Sequence, residues 1–136
     1  MAGERSATVI IDEGEVTRAS ERVVEKTWGR EFWVVNEPNY CLKYLKINPG
    51  FQCSVHCHKK KDETFVGLSG TVRLMIHTDN GAEFQTHAIH EGQKYHVPPK
   101  TYHSFQAFNV AWLMEISTHH DDRDVFRLQE SRRLTE

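Results

Sequence analysis

Residues 50–70 of the chain read GFQCSVHCHKKKDETFVGLSG, and this stretch decides the fold. It contains His56, His58 and Glu63, and a later stretch, GQKYHVPPKTYH, ends in a further histidine, His103. Side chains alternate faces along a β-strand, so His56 and His58 point the same way. Glu63 follows the turn-like KKKD segment and can return on a neighbouring antiparallel strand. These spacings predict a metal site inside a small β-barrel.

The predicted donor set restricts the metal. Three imidazoles and one carboxylate suit Fe, Mn, Zn, Co, Ni or Cu rather than Ca or Mg, so we expect one divalent transition metal. Four ligands on one side of an octahedron would leave two positions open to a substrate. The remaining histidines are expected to be ordinary surface or core residues, except His96, which lies in the second stretch and is a candidate for contacting substrate in the cavity.

Composition excludes several classes of partner. The chain has 136 residues, a formal net charge of −2 and a pI near 6.5, so no basic field recruits nucleic acid or an anionic membrane. Its apolar runs are too short to span a bilayer, and the N-terminus lacks the apolar segment of a signal peptide. Three cysteines without a CxxC pair predict a reduced, cytoplasmic protein rather than a disulfide scaffold.

Strand-like segments recur from Arg22 onward. They are short apolar or alternating runs, separated by turns such as Asn48-Pro49-Gly50 and Asp79-Asn80-Gly81. This pattern predicts an all-β sandwich or barrel in a single domain at 22–136. Residues 1–21 are expected to form an N-terminal arm with at most one short strand, at residues 8–11. The C-terminal tail, 121–133, is the one region in which a brief helix is expected.

The two stretches resemble the motifs of the cupin superfamily, G-x5-HxH-x3,4-E-x6-G and G-x5-PxG-x2-H-x3-N. The first motif matches at every defined position. The second matches at Gly92, Pro98 and His103, whereas Lys100 replaces a glycine and Ala107 an asparagine. The resemblance implies an antiparallel jelly-roll barrel of six to ten strands with the metal inside, often assembled as a dimer.

A narrower resemblance covers roughly residues 25–133. The segments KTWGRE, HKKKDETF, LMEI and DVFR are similar to the cupin domain of type II phosphomannose isomerases. His56 departs from that family, which usually has glutamine there, and the extra imidazole should tighten metal binding. The resemblance implies a homodimeric isomerase of a sugar or sugar phosphate.

The reaction implied is aldose–ketose isomerisation through a metal-stabilised enediolate. Glu63 or Glu115 is the candidate base, and burial would raise the pKa of Glu115 toward a useful value if its side chain faces the cavity. Lys43 is a candidate donor to a substrate oxygen. If Glu115 and Lys43 face outward instead, both are ordinary surface residues.

Lys61 and Arg127 are the candidates for binding a substrate phosphate, again by resemblance, since the family carries arginine at the position of Lys61. The alternative for Lys61 is a solvated charge run with its neighbours. Two other functions stay open: a metal-dependent dioxygenase or lyase acting on a small organic acid, and a non-catalytic metal- or sugar-binding module. An outward-facing Glu115 and Lys43 would favour the module.

Overall fold

The structure, a computed structural model, describes residues 22–135, which form thirteen strands. No helix occurs in this range, and hence none there that could cross a membrane. The predicted all-β architecture is confirmed. The strands are β1 (Arg22–Lys26), β2 (Gly29–Asn36), β3 (Cys41–Ile47), β4 (Phe51–Gln52), β5 (Val55–Cys57), β6 (Glu63–Ser69), β7 (Val72–His77), β8 (Phe84–Ile89), β9 (Lys94–Val97), β10 (His103–Ala107), β11 (Ala111–Ser117), β12 (Phe126–Gln129) and β13 (Arg132–Arg133).

The strands build two antiparallel sheets that form a jelly-roll barrel. Sheet A has the order β1-β2-β3-β11-β6-β9. Sheet B runs β12-β5-β10-β4-β13, and β10 also pairs along its full length with β7, which in turn pairs with β8. Strand β10 is therefore central, with β7 on one side and the short strands β4 and β5 on the other.

The barrel interior changes from apolar to polar along its axis. On β3 and β11 the inward pairs are Leu45 with Leu113 and, two residues further, Lys43 with Glu115. Period-two alternation places all four side chains inside. The apolar end is filled by a packed cluster that includes Trp28, Ile47, Phe65, Val72, Leu74, Val97, Phe105 and Leu113. The polar end contains the candidate functional site.

The predicted brief helix in the tail is wrong. Residues 126–129 form β12 beside β5, with Phe126 opposite Cys57 and Arg127 opposite His56, and β13 pairs with β4. The tail is rich in helix-compatible polar residues, but the open edges of β4 and β5 offer backbone partners that override local propensity. The predicted N-terminal arm and its possible strand lie outside the described residues.

Lys100 occupies the position at which the cupin motif carries glycine, and its backbone keeps the glycine conformation. Its φ is 68°, the sole left-handed value of a non-glycine residue in the described part of the chain. Its N–H donates to the carbonyl of His58 over 2.6 Å. The turn is thus held in place although lysine fits it poorly.

Candidate metal centre and its cavity

Three histidines converge inside the polar end of the barrel. His56 lies on β5 directly opposite His103 on β10, and His58 follows β5 by one residue. The His56 and His103 ring centroids are 4.5 Å apart, and those of His56 and His58 are 5.1 Å apart. One ring nitrogen from each of the three lies within 4.8 Å of the others, close enough to hold one metal ion.

Each of these imidazoles is anchored through Nδ1 to a backbone carbonyl. His56 Nδ1 lies 2.9 Å from Ser54 O, His58 Nδ1 2.8 Å from Asp124 O, and His103 Nδ1 2.9 Å from Thr101 O. Since a carbonyl only accepts, Nδ1 carries the proton and Nε2 keeps its lone pair. Outer hydrogen bonds of this kind fix the tautomer and ring orientation of metal ligands.

Glu63, at the start of β6, adds a carboxylate to the cluster. Its Oε2 lies 3.1 Å from His103 Nε2 and 3.5 Å from His58 Nε2. Both Glu63 Oε2 and His103 Nε2 are buried and neither makes a hydrogen bond of acceptable geometry. Unsatisfied buried polar atoms are costly, and a shared cation would satisfy both. The donor set of three nitrogens and one oxygen therefore fits a transition metal.

The charge states of three of the four groups, His56, His58 and Glu63, favour a cation. Burial, followed by the neighbouring imidazoles, holds the pKa of His56 well below its usual value, and burial also lowers the pKa of His58. Burial opposes ionisation of Glu63, but Lys61 outweighs it and brings the pKa to about 2. Burial would lower the pKa of His103, yet Glu63 raises it. Ordinary pH thus leaves two neutral imidazoles and one carboxylate ready to bind.

A second buried cluster, the lysine–glutamate cluster of Lys43, Lys61 and Glu115, lies beside the histidines. Lys61 Nζ is 2.5 Å from Glu115 Oε2 and 3.5 Å from Glu63 Oε1, and Lys43 Nζ is 4.0 Å from Glu115 Oε2. The three side chains of the cluster and that of Glu63 are all buried. Two ammonium groups therefore balance two carboxylates inside the barrel. Lys61 links this cluster to the metal-ligand candidates.

The electrostatics of Glu115 contradict the expectation from sequence. Burial alone would raise its pKa, as we predicted, but Lys61 and Lys43 outweigh burial and hold the pKa well below its usual range. Burial likewise opposes the charge of Lys61, yet Glu115 and Glu63 raise its pKa. Glu115 is a carboxylate and Lys61 an ammonium at all ordinary pH values.

His120 completes the lysine–glutamate cluster and was assigned to the ordinary histidines by sequence. Its Nδ1 lies 3.2 Å from Lys43 Nζ and 3.1 Å from Lys61 Nζ, and its Nε2 lies 2.8 Å from Asp122 Oδ1. Because ammonium groups only donate, Nδ1 must accept and Nε2–H must donate to Asp122. Burial, then Lys43, lowers the pKa of His120 to about 4. No local signal in the sequence distinguishes it.

Asp124 was missed as a positioning residue. Its carboxylate accepts the backbone N–H groups of Lys59, Lys60 and Lys61 at 2.8, 3.1 and 3.1 Å. Its backbone carbonyl accepts the Nδ1–H of His58. One residue of the C-terminal segment thus fixes the loop that carries a metal-ligand candidate and the buried lysine.

These groups line one cavity of about 380 Å³. Lys43, Lys61, Glu63, Glu115, His56 and His58 form its polar wall, and His103 lies behind them, opposite His56 on the neighbouring strand. Arg22 and Arg127 lie at its edge, and the Arg127 side chain is 45% exposed. The size falls within the range of small-molecule sites.

Two predicted positions are wrong. His96 faces outward, with its side chain 59% exposed and its Nε2 2.6 Å from Asp62 Oδ1, because β9 turns its neighbours Tyr95 and Val97 inward. Lys61 is buried at 3% exposure rather than placed at the barrel mouth, because Glu115 and Glu63 hold it inside. The neighbouring Lys59 and Lys60 are exposed, as a solvated charge run would be.

Sequence comparison places residues 13–130 in the family described as mannose-6-phosphate isomerase C-terminal. A D-lyxose/D-mannose isomerase of Thermosediminibacter oceani is 34% identical over 125 residues, covering 75% of this chain and 69% of that enzyme. A mannose-1-phosphate guanylyltransferase of Salmonella typhimurium is 26% identical over 111 residues, covering 79% of this chain but only 22% of that protein.

Comparison with solved structures supports the jelly-roll fold described above. Oxalate decarboxylase of Bacillus subtilis superposes with a TM-score of 0.69 at 20% identity, covering 86% of this chain and 34% of that one. The capsular polysaccharide assembling protein CapF of Staphylococcus aureus gives a TM-score of 0.67 at 16% identity, covering 79% of this chain and 31% of that one. The chain spans about a third of each of these structures, and at such identities the likeness concerns the cupin fold alone.

Proposed function

The chain belongs to the family of the mannose-6-phosphate isomerase C-terminal domain, and we propose that it is a metal-dependent aldose–ketose isomerase of a sugar or sugar phosphate. The observation that carries the proposal is the convergence, in one cavity, of a histidine cluster and the Lys61–Glu115 pair. An isomerase needs both an electrophilic centre and a proton carrier within reach of two adjacent substrate carbons.

His56, His58, His103 and Glu63 would hold one divalent metal, such as Fe, Mn, Zn, Co or Ni. When bound, such an ion supplies Lewis-acid polarisation of the substrate carbonyl, which acidifies the neighbouring C–H. His58, His103 and Glu63 are buried, which limits the access of bulk water to this wall of the cavity.

Glu115 is the proposed base, moving a proton between the substrate carbons C2 and C1. The ion pair with Lys61 keeps its carboxylate ionised and ready to accept a proton. A substrate oxygen that took over the hydrogen bond of Lys61 would weaken this ion pair and raise the basicity of Glu115. Lys61 would act as a donor to the oxyanion, since its pKa is raised and it cannot serve as a base.

Lys43 and Glu115 both point inward, and this is the feature that disfavours a purely binding module. Lys43 would serve as a second donor to a substrate hydroxyl. A phosphate on the substrate would lie at the cavity edge, where Arg127 on β12 and Arg22 on β1 offer guanidinium groups.

The homodimer and the cytoplasmic location are also proposals. Phe32 and Trp112 stack at 5.5 Å between centroids on the outer face of sheet A and stay partly exposed, as an interface between copies would require. Sedimentation velocity tests the dimer. All three cysteines are free thiols, in keeping with a reducing compartment.

Proton exchange at the substrate α-carbon tests the function directly. Metal-loaded protein is incubated in D₂O with free and phosphorylated mannose, fructose, glucose, lyxose and xylulose, and NMR follows the C2 proton of each aldose and the C1 protons of each ketose. We expect metal-dependent deuterium incorporation and formation of the ketose or aldose partner, both lowered at least about a hundredfold in Glu115→Gln. Absence of exchange with every sugar, at full metal loading, would refute the isomerase.

A further inference from the structure

A second cavity, of about 250 Å³, lies on the outer face of sheet B, behind the strand that carries His103. Along β7 the side chains of Val72 and Leu74 enter the core, so Arg73 and Met75 point outward. On β10 the same alternation turns Gln106 outward. The cavity is therefore separated from the metal centre by the sheet itself.

A row of four polar residues crosses the floor of this cavity. Arg73, Gln106, Gln52 and Arg132 are direct cross-strand partners on β7, β10, β4 and β13, so they share one face. Gln106 Nε2 donates to Gln52 Oε1 over 2.8 Å, and Arg132 Nη2 lies 3.4 Å from the same oxygen. The row thus has two amides at its centre and a guanidinium at each end.

The two guanidinium groups lack anionic partners in the described part of the chain. No ion pair within 4.0 Å among residues 22–135 involves Arg73 or Arg132, and no lining residue of the cavity is acidic. Arg73 Nε is buried without a hydrogen-bond partner, and so is His77 Nδ1. His77 Nε2 lies 2.8 Å from the hydroxyl of Ser104, which can donate to it and leave Nδ1–H facing the cavity.

We propose that this cavity binds a small oxyanion, a carboxylate or phosphoryl group, between Arg73 and Arg132. A planar guanidinium matches both groups with paired hydrogen bonds, and Gln106 and His77 add neutral donors. A bound anion would satisfy the buried Nε of Arg73, whose desolvation is otherwise uncompensated. The volume accommodates inorganic phosphate or a small dicarboxylate. The proposal does not depend on isomerase activity, since the site lies on the opposite face of sheet B from the metal centre.

NMR titration of the metal-loaded full chain tests the site. Inorganic phosphate and succinate are added separately at constant ionic strength, with sodium chloride as the reference. We expect saturable amide shifts on β4, β7 and β10 with at least one of the two anions, and the stronger of them identifies the source of the oxyanion. Arg73→Gln and Arg132→Gln should each weaken binding about tenfold or more, the usual size of a lost charge-assisted contact.

Two control variants locate the binding. Arg30→Gln removes an equal charge from an exposed arginine that pairs with Glu25 at 2.9 Å, and it should leave the affinity unchanged. Arg127→Gln should leave the shifts on β4 and β7 unchanged, because Arg127 lies at the first cavity and does not line the second. Arg132 is exposed, so its variant tests the site even if Arg73→Gln fails to fold. Shifts that do not saturate, wild-type affinity in both Arg73→Gln and Arg132→Gln, or a loss of these shifts confined to Arg127→Gln would overturn the proposal.

Discussion

Lys61 Nζ lies 2.5 Å from Glu115 Oε2 in the barrel interior, and both side chains are almost completely buried. The lysine comes from the loop after β5 and the glutamate from β11, 54 residues further along the chain. Such a pair gains its stability from mutual compensation, because either charge alone in the interior would be strongly unfavourable. It also fixes which group can accept a proton and which can donate a hydrogen bond.

Glu115→Gln should lower isomerisation and C2 proton exchange by at least about a hundredfold, the usual contribution of a general base. The amide fills the same space but cannot take up a proton. Metal content should stay that of the wild type, because Glu115 is not among the metal-ligand candidates. His96→Gln, an exposed substitution outside the cavity, is the control and should retain activity. Retained exchange in Glu115→Gln would remove Glu115 as the base.

Lys61→Met should destabilise the protein by about 3–5 kcal/mol, because it leaves the buried carboxylates of Glu115 and Glu63 without their main partner. Urea unfolding of metal-free protein measures the loss. Lys60→Met removes the same side chain from an exposed neighbour and should change stability little. The double variant Lys61→Met/Glu115→Gln should recover part of the loss, and equal stability of the single and double variants would contradict the pairing.

His103→Gln should weaken metal binding more than His56→Gln does. His103 Nε2 is a buried, unpartnered atom 3.1 Å from Glu63 Oε2, so its loss breaks the centre of the donor set. His56 stands where the resembling family usually has glutamine, so glutamine there should keep part of the affinity. Competition with a chelator, followed by metal analysis, measures both. Metal retention at the wild-type level in both variants would show that the ion is held elsewhere.

The stability of the metal-free protein should fall as the pH drops below about 4.5. The pKa of Glu115 is depressed in the folded state below its unfolded value of 4.5, so its contribution is full above pH 4.5 and is lost in acid. One such group changes the free energy of unfolding by at most about 1.4 kcal/mol per pH unit. Urea unfolding at several pH values should give a shallower slope for Glu115→Gln, and identical slopes would contradict the assignment.

Several parts of the site follow from local sequence rules. The alternation of strand side chains places His56 and His58 on one face, and the turn after them returns Glu63 to the same place. Lys43 and Glu115 each lie in a strand of alternating residues, and the sequence left open whether either side chain faces inward or outward. The structure places both inside, opposite each other across β3 and β11.

Other parts depend on contacts between distant residues. His120 follows the end of β11 in a loop, and its role arises only because Lys43 and Lys61 converge on it in space. Asp124 gains its role from backbone N–H groups that lie 63 to 65 residues away. The lowering of the Glu115 pKa was not predicted for the same reason. The burial of Glu115 was foreseen, but its contacts with Lys43 and Lys61 were not.

Lys100→Gly should stabilise the protein by about 0.5–1 kcal/mol. For lysine, a backbone φ of 68° costs about 1–2 kcal/mol of conformational energy. Glycine avoids this cost but loses more backbone entropy on folding. Lys100→Ala is the matched control, because it removes the same side chain and keeps the strained backbone, so its stability should stay near that of the wild type. Thermal and urea unfolding compare the three proteins. The turn connects β9 to His103 and holds His58 through the Lys100 N–H, so relief of the strain should leave metal binding intact. A glycine variant no more stable than the alanine variant would show that the surrounding structure already compensates the strained conformation.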